Sequence, residues 1–196
     1  MNAESDEVLL AAVSNGDARA WSSLYSRHAK RVYRFGLAMC GSIPLAEEAT
    51  QEAFLALLDR SGRYDPSRGP FATWFLGVAR NKVLGLLRRE GPRITGDVNR
   101  ATSEIGSADP AGLLAAEMRS AVRGAVLALP EKYREVVVLC ELDEMDYAAA
   151  AAVLECPVGT VRSRLHRARQ MLASRLAPLR PGAESGVQSA EERWQR

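Results

Sequence analysis

Five residues within one short stretch, Arg162, Ser163, Arg164, His166 and Arg167, have the chemistry to read nucleic acid. An arginine holds a guanine edge through two hydrogen bonds, and Ser or Gln reaches other base edges. Placed on a helix at about 100° per residue, Val158, Val161, Leu165, Ala168, Leu172 and Leu176 form one apolar stripe. Ser163, His166, Arg167 and Gln170 then point the opposite way, and Arg162 and Arg164 flank the stripe. Just upstream, a short Ala-rich segment from Tyr147 to Leu154 is followed by Glu155-Cys156-Pro157. Two helices joined by a tight turn, the second with a polar arginine face, make a helix-turn-helix whose second helix enters the major groove. The start of that helix, Val158-Gly159-Thr160, offers backbone N–H groups to a phosphate, which adds Thr160 to the candidates. His166 is far in sequence from the other histidine, His28, so no metal site is expected.

The other charges are segregated too. Between Arg60 and Arg93 there are eight basic residues against Asp65 and Glu90. Between Cys156 and Ala183 there are six arginines and no acid. A duplex carries one negative charge per about 1.7 Å of axis, so both segments are candidate phosphate surfaces. From Phe35 to Asp59 there is no Lys or Arg, but there are Glu47, Glu48, Glu52 and Asp59. The formal net charge of +2 is the sum of these opposed parts.

The elements that position these residues read as helices throughout. A first runs from near Ser5 to Ser14, and Asp17 caps a second that Gly41 ends. Pro44 opens a third, to about Asp59, and a fourth spans Phe71 to about Arg89. Residues 91–112 hold four Gly and two Pro in place of apolar periodicity, which marks a linker. Further helices are expected near Leu113–Leu129, Glu131–Leu142, Asp146–Leu154 and Val158–Leu176. The expected architecture is all-α, with two small helical domains over 1–90 and 113–178, a flexible linker, and a disordered tail over 179–196. With 196 residues, 47% hydrophobic and 26% charged, the chain is composed like a globular protein. No apolar run nears the roughly 18 residues of a membrane span, and the polar start lacks a secretory signal. Cys40, Cys140 and Cys156 are scattered and form no CxxC pair, so neither a disulfide framework nor a zinc site is expected. A cytoplasmic location is the default.

The run from Cys156 to Arg169, Cys-Pro-Val-Gly-Thr-Val-Arg-Ser-Arg-Leu-His-Arg-Ala-Arg, resembles the promoter-reading helix of bacterial extracytoplasmic-function (ECF) sigma factors. Glu48-Ala49-Thr50-Gln51-Glu52-Ala53-Phe54 resembles the family's polymerase-binding helix. Tyr64-Asp65-Pro66-Ser67-Arg68-Gly69, with Phe71 and Trp74, resembles its minus-ten loop, and Ala79-Arg80-Asn81 with Arg88-Arg89 the helix that follows. Leu129 to Glu135 resembles the opening of its second domain. The matches run in order over roughly residues 20–178.

The resemblance implies two helical domains, sigma two and sigma four, in a non-enzymatic protein that needs no cofactor. It implies an alternative sigma factor that binds core RNA polymerase and directs it to promoter DNA at minus-ten and minus-thirty-five elements. Many such factors are held inactive by an anti-sigma partner. Glu47, Glu48, Gln51 and Glu52 would then meet the polymerase. Arg63, Tyr64, Arg68, Phe71, Arg80 and Asn81 would meet the opened minus-ten strand, with Arg80, Lys82, Arg88 and Arg89 on phosphates. A base drawn from its stack rests on an aromatic or arginine plane. Phe71, Trp74, Phe75 and Val78 also form an apolar stripe, so core packing competes for the aromatics. Arg162, Ser163, Arg164, His166 and Arg167 would read the minus-thirty-five element. Gly85 and Cys140 depart from residues common in the family, and Ala148–Ala152 is bland for the first helix of a helix-turn-helix. A two-domain regulator with a sensory first domain is the competing reading, and the absence of an α/β pattern speaks against its commonest form.

Overall fold

The computed structural model describes residues 4–60, 63–90 and 110–179. The expected linker falls mostly, and the tail almost wholly, outside the described residues. Those residues form helices and turns with no strand. None of the helices is long and apolar enough to cross a membrane.

Helix α1 spans Asp6–Ser14, and its cap Ser5 accepts a hydrogen bond from the Val8 amide. Asp6 and Glu7 in its first turn complement the helix dipole. Helix α2, Ala18–Cys40, starts at Asp17, whose carboxylate accepts from the amides of Arg19 and Ala20. It ends at Gly41 in the left-handed region at φ 64°, as the sequence indicates. Helix α3 covers Ile43–Arg60 and α4 covers Phe71–Glu90. Between them a 3-10 turn, Pro66–Arg68, is capped by Asp65.

Helix α5 spans Pro110–Leu127 and begins inside the stretch read as linker. Composition alone misplaces this boundary, because a proline in a first turn opens a helix as readily as it marks a loop. Helix α6, Glu131–Val137, widens into a π-helical turn at Val138–Leu142, where the periodicity indicates one continuous helix. Helix α7 is Tyr147–Leu154, capped by Asp146, and α8 is Val158–Leu176.

Two apolar clusters hold the chain. One lies within the first four helices and centres on Leu24, Phe54, Leu57, Phe71 and Phe75. The other crosses between the two halves. It joins Phe35, Met39, Leu76 and Val83 of α2 and α4 to Val136, Leu139, Ala150, Val153 and Leu165 of the second half. The two units therefore share a core, which the reading of two linked domains does not convey.

The glycines yield a pair of contrasting predictions. Gly41 sits where an added Cβ would lie 2.6 Å from Leu127 Cδ1 of α5. Gly85, in the middle of α4, faces open space at that position. Gly85→Ala should raise stability by about 1 kcal/mol through helix propensity. Gly41→Ala should lower it by about 1–2 kcal/mol from left-handed strain alone, before Leu127 moves. Urea unfolding of the two variants against the parent chain measures both.

Candidate nucleic-acid interface

The helix-turn-helix is present as read. The α7–α8 turn is Glu155-Cys156-Pro157, with Glu155 in the left-handed region at φ 51°. Its amide and that of Cys156 bond back to the carbonyls of Ala152 and Ala151, which closes α7. Val161, Leu165 and Ala168 are buried, so the opposite face of α8 is presented outward.

On that face Arg162, Ser163, His166 and Arg167 are exposed, and Arg164 and Thr160 are half-buried. Arg162 lies over the Tyr147 ring at 5.9 Å, a cation–π contact that steadies its guanidinium. Ser163 Oγ donates to the Thr160 carbonyl, and Gln170 Nε2 lies 3.1 Å from His166 Nε2. The Thr160 amide donates to the Pro157 carbonyl, so it is not one of the N–H groups open to a phosphate. Arg169 is drawn off to Glu141, at 2.9 Å from its Nε.

The second candidate surface is the loop before α4 and the exposed side of α4. Asp65 Oδ1 accepts from the amide and hydroxyl of Ser67, which shapes the loop and holds the carboxyl below its ordinary range. Tyr64 donates to the Gly69 carbonyl at 3.1 Å and leans on Trp74 and Phe71. Arg63, Arg68 and Asn81 are exposed beside it.

Phe71 is 1% exposed, which corrects its reading as a platform for a base. It packs against Phe75 and His28 in the first cluster, since the apolar stripe of α4 claims it. Trp74, half-buried against Tyr64 and Phe71, meets the expectation of core packing in part.

Several of the candidate cations already have anions. Arg80 Nε donates to Glu135 Oε1 of α6 at 2.6 Å, and the two side chains are 16% and 3% exposed. Lys82 lies 3.4 Å from Glu52, and Arg89 lies 2.9 Å from Glu48 and 3.5 Å from Glu52. The acidic side of α3 and the basic side of α4 thus partly neutralise each other, as neighbouring helices of opposite sign do. Arg88 is exposed.

This pairing divides the α3 acids. Glu48 and Glu52 turn toward α4, while Glu47 and Gln51 line a recess of about 390 Å³ with Tyr25, Lys30 and Tyr33 of α2. Leu55 and Leu58, 60% and 49% exposed, continue the Gln51 face of α3. The charge-based reading missed them, although exposed leucines spaced i, i+4 and i+7 from Gln51 are the signal that finds them.

The second half stands across the minus-ten candidates. A recess of about 810 Å³ has Arg63, Arg68, Trp74 and Asn81 on one wall and Ala152, Glu155 and Pro157 on the other. Cys140, at the π-helical turn, is half-buried, and burial pushes its thiol up. Cys40 is buried beside Arg134, and burial pushes its thiol up to about 11. Among the described residues, no cluster of three or more His, Cys, Asp and Glu could hold a metal ion.

Two family descriptions match in order, Sigma-70 region 2 over residues 24–93 and Sigma-70, region 4 over residues 119–172. The chain is 34% identical over 189 residues to the ECF RNA polymerase sigma-E factor of Escherichia coli, covering 89% of this chain and 95% of that one. It is 29% identical over 177 residues to the ECF RNA polymerase sigma factor SigW of Bacillus subtilis, covering 85% and 94%. Among solved structures it is similar to CnrH in complex with the cytosolic domain of CnrY, at TM-score 0.66 and 26% identity, covering 89% of this chain and 98% of that one. The RpoE–NepR complex of Bartonella quintana, at TM-score 0.61 and 18% identity over 83% of this chain and 100% of that one, shares the fold. Region two lies in α2 to α4, region four carries the arginine-faced α8, and the chain belongs to the ECF RNA polymerase sigma factors.

Proposed function

We propose that this chain is an alternative sigma factor that binds core RNA polymerase and directs it to promoters through two separate DNA contacts. What carries this reading is the ordered pair of region-two and region-four matches on one chain, with the second ending in an exposed arginine face on α8. The protein supplies recognition and strand separation and catalyses no reaction itself, and it works in the cytoplasm, where polymerase and promoter meet. The domains divide the labour as 1–90 for the polymerase and the minus-ten element and 113–178 for the minus-thirty-five element.

The polymerase surface is the outer face of α3 with α2, where Glu47 and Gln51 are followed by exposed Leu55 and Leu58. Apolar area gives such an interface its affinity, and the acids give it orientation toward a basic partner. The minus-ten surface is Arg63, Tyr64, Arg68 and Asn81, with Arg80, Lys82, Arg88 and Arg89 on phosphates. Phe71 acts from beneath, by holding Tyr64 and Trp74 in place. The minus-thirty-five reader is α8, through Arg162, Ser163, Arg164, His166 and Arg167.

An anti-sigma factor is the expected regulator. The similar CnrH is solved in complex with the cytosolic domain of CnrY, and RpoE of Bartonella quintana, which shares the fold, with the anti-sigma factor NepR. In this chain a cavity of about 290 Å³ between α2 and α5, lined by Phe35, Ala38, Val122 and Val126, offers an apolar seat that touches both halves at once.

Reconstitution with core polymerase on a promoter library, with transcript starts sequenced, tests the reading. Specific initiation is expected, and its absence defeats the proposal. Gln51→Lys combined with Leu55→Ala should weaken capture of core polymerase about tenfold or more, the loss expected of a hot-spot contact worth more than 1 kcal/mol. Equal co-purification with polymerase counts against that surface. Asn81→Ala should reduce permanganate reactivity of the opened strand while polymerase capture is unchanged. Arg167→Ala should cost roughly 1–3 kcal/mol at one base position, whereas uniform weakening across all sequences makes Arg167 a phosphate contact only.

A further inference from the structure

Helix α1 carries no part of the function proposed above, and the region-two match begins only at residue 24, beyond it. It is nonetheless built into the first cluster, where Leu9, Leu10 and Val13 are buried together with Phe71 and Phe75. Burial of these side chains holds α1 on the bundle but has no direction of its own. Directional contacts at its first turn set where its two acids stand.

Asp6 is pinned twice from α2. Its Oδ1 accepts from Arg27 Nη1 at 2.9 Å, and its Oδ2 lies 2.8 Å from His28 Nε2. Arg27 Nη1 also donates to the Glu4 carbonyl at 2.7 Å, one residue before the Ser5 cap. His28 is buried, and its ring meets Phe71 edge-on at 5.2 Å. A ring nitrogen in an apolar cluster needs a hydrogen-bond partner, and Asp6 is that partner.

Glu7, the next residue, reaches the loop before α4. Its Oε1 lies 3.2 Å from the Tyr64 hydroxyl, which also lies 3.1 Å from the Gly69 carbonyl. A phenol has one proton to donate and both neighbours are acceptors, so the proton is shared between α1 and the far end of the loop. The Glu7 carboxyl is held below its ordinary range by its own backbone amide, then by the Ser5 and Tyr64 hydroxyls. The Tyr64 ring rests on Phe71 at 5.6 Å and on Trp74 at 5.4 Å. Phe71 therefore touches both ends of one linkage, His28 pinned by Asp6 and Tyr64 held by Glu7.

We propose that α1 is a positioning element for the minus-ten loop, in which Glu7 fixes the Tyr64 hydroxyl and Asp6, pinned to Arg27 and His28, fixes Glu7. This deepens the function proposed above and rests on it. Neither acid touches DNA. Both act through Tyr64, which lies next to Arg63 and closes the loop that carries Arg68. A loop already ordered loses less entropy when it meets the opened strand. Strand opening and base preference, not polymerase capture, are what α1 controls.

The test compares the full parent chain with Glu7→Ala and Glu7→Gln, each alone and together with Tyr64→Phe. With core polymerase, Glu7→Ala should lower permanganate reactivity of the opened strand about fivefold, a factor worth about 1 kcal/mol. It should also flatten base preference in the minus-ten element, with polymerase capture and minus-thirty-five preference unchanged. Glu7→Gln keeps an acceptor oxygen for the hydroxyl and should restore most of the loss. Tyr64→Phe removes the hydroxyl, so on that background Glu7→Ala should add nothing. Without polymerase, trypsin cleavage after Arg63 and Arg68 reports the order of the loop directly, and Glu7→Ala should speed it about fivefold. Asp6→Ala should speed it too, from the other end of the linkage. The proposal is overturned if Glu7→Ala opens promoters as well as the parent chain, or if its defect is undiminished on the Tyr64→Phe background. A matching fall in polymerase capture marks a general loss of folding and overturns it as well. Failure of the parent chain to initiate transcription defeats the function reading instead, and the cleavage rates then decide alone whether α1 holds the loop.

Discussion

The structure depends on a core shared between two units. Val83 and Leu86 of α4, and Phe35 and Met39 of α2, lie at 0% to 3% exposure in one cluster with Val136, Leu139 and Leu165 of the second half. Fully burying such side chains contributes roughly 1.5–3 kcal/mol each, so separating the halves exposes a costly apolar face. That cost makes the partner surface on polymerase, or on another protein, part of the fold's energetics.

Electrostatics selects where the closure falls. Exposed pairs such as Arg89 with Glu48 contribute about 0–1 kcal/mol and decide little. The Arg80–Glu135 pair is different, because both partners are largely withdrawn from water. Desolvation makes such a pair a poor source of net stability but a strong determinant of register, since any packing that leaves either charge alone is penalised. The apolar core supplies the attraction between the halves, and this pair penalises any packing that leaves either charge alone. The small net charge then has a structural counterpart, with acids of α3 set against bases of α4 and a buried acid of α6 against the deepest of them.

Local signals in the sequence translated directly. Asp17 caps α2, Gly41 ends it in the left-handed region, and Val158–Leu176 is one helix with its arginines outward. Each of these depends on neighbours a few residues away, and spacing records such neighbours. The start of α5 was misplaced because Pro110 and Gly112 serve a linker and a first turn equally well. Phe71 has the chemistry of a stacking platform, but it also lies on the apolar stripe of α4, and the packing gives it to the core. The bland run Ala148–Ala152 was legible as unusual but not as functional. The helix it forms packs near α4, some seventy residues earlier, where a Cβ at Gly77 would lie 3.8 Å from the Val153 carbonyl oxygen. No helical wheel of α6 reveals that Glu135 meets Arg80, because the two lie 55 residues apart in sequence.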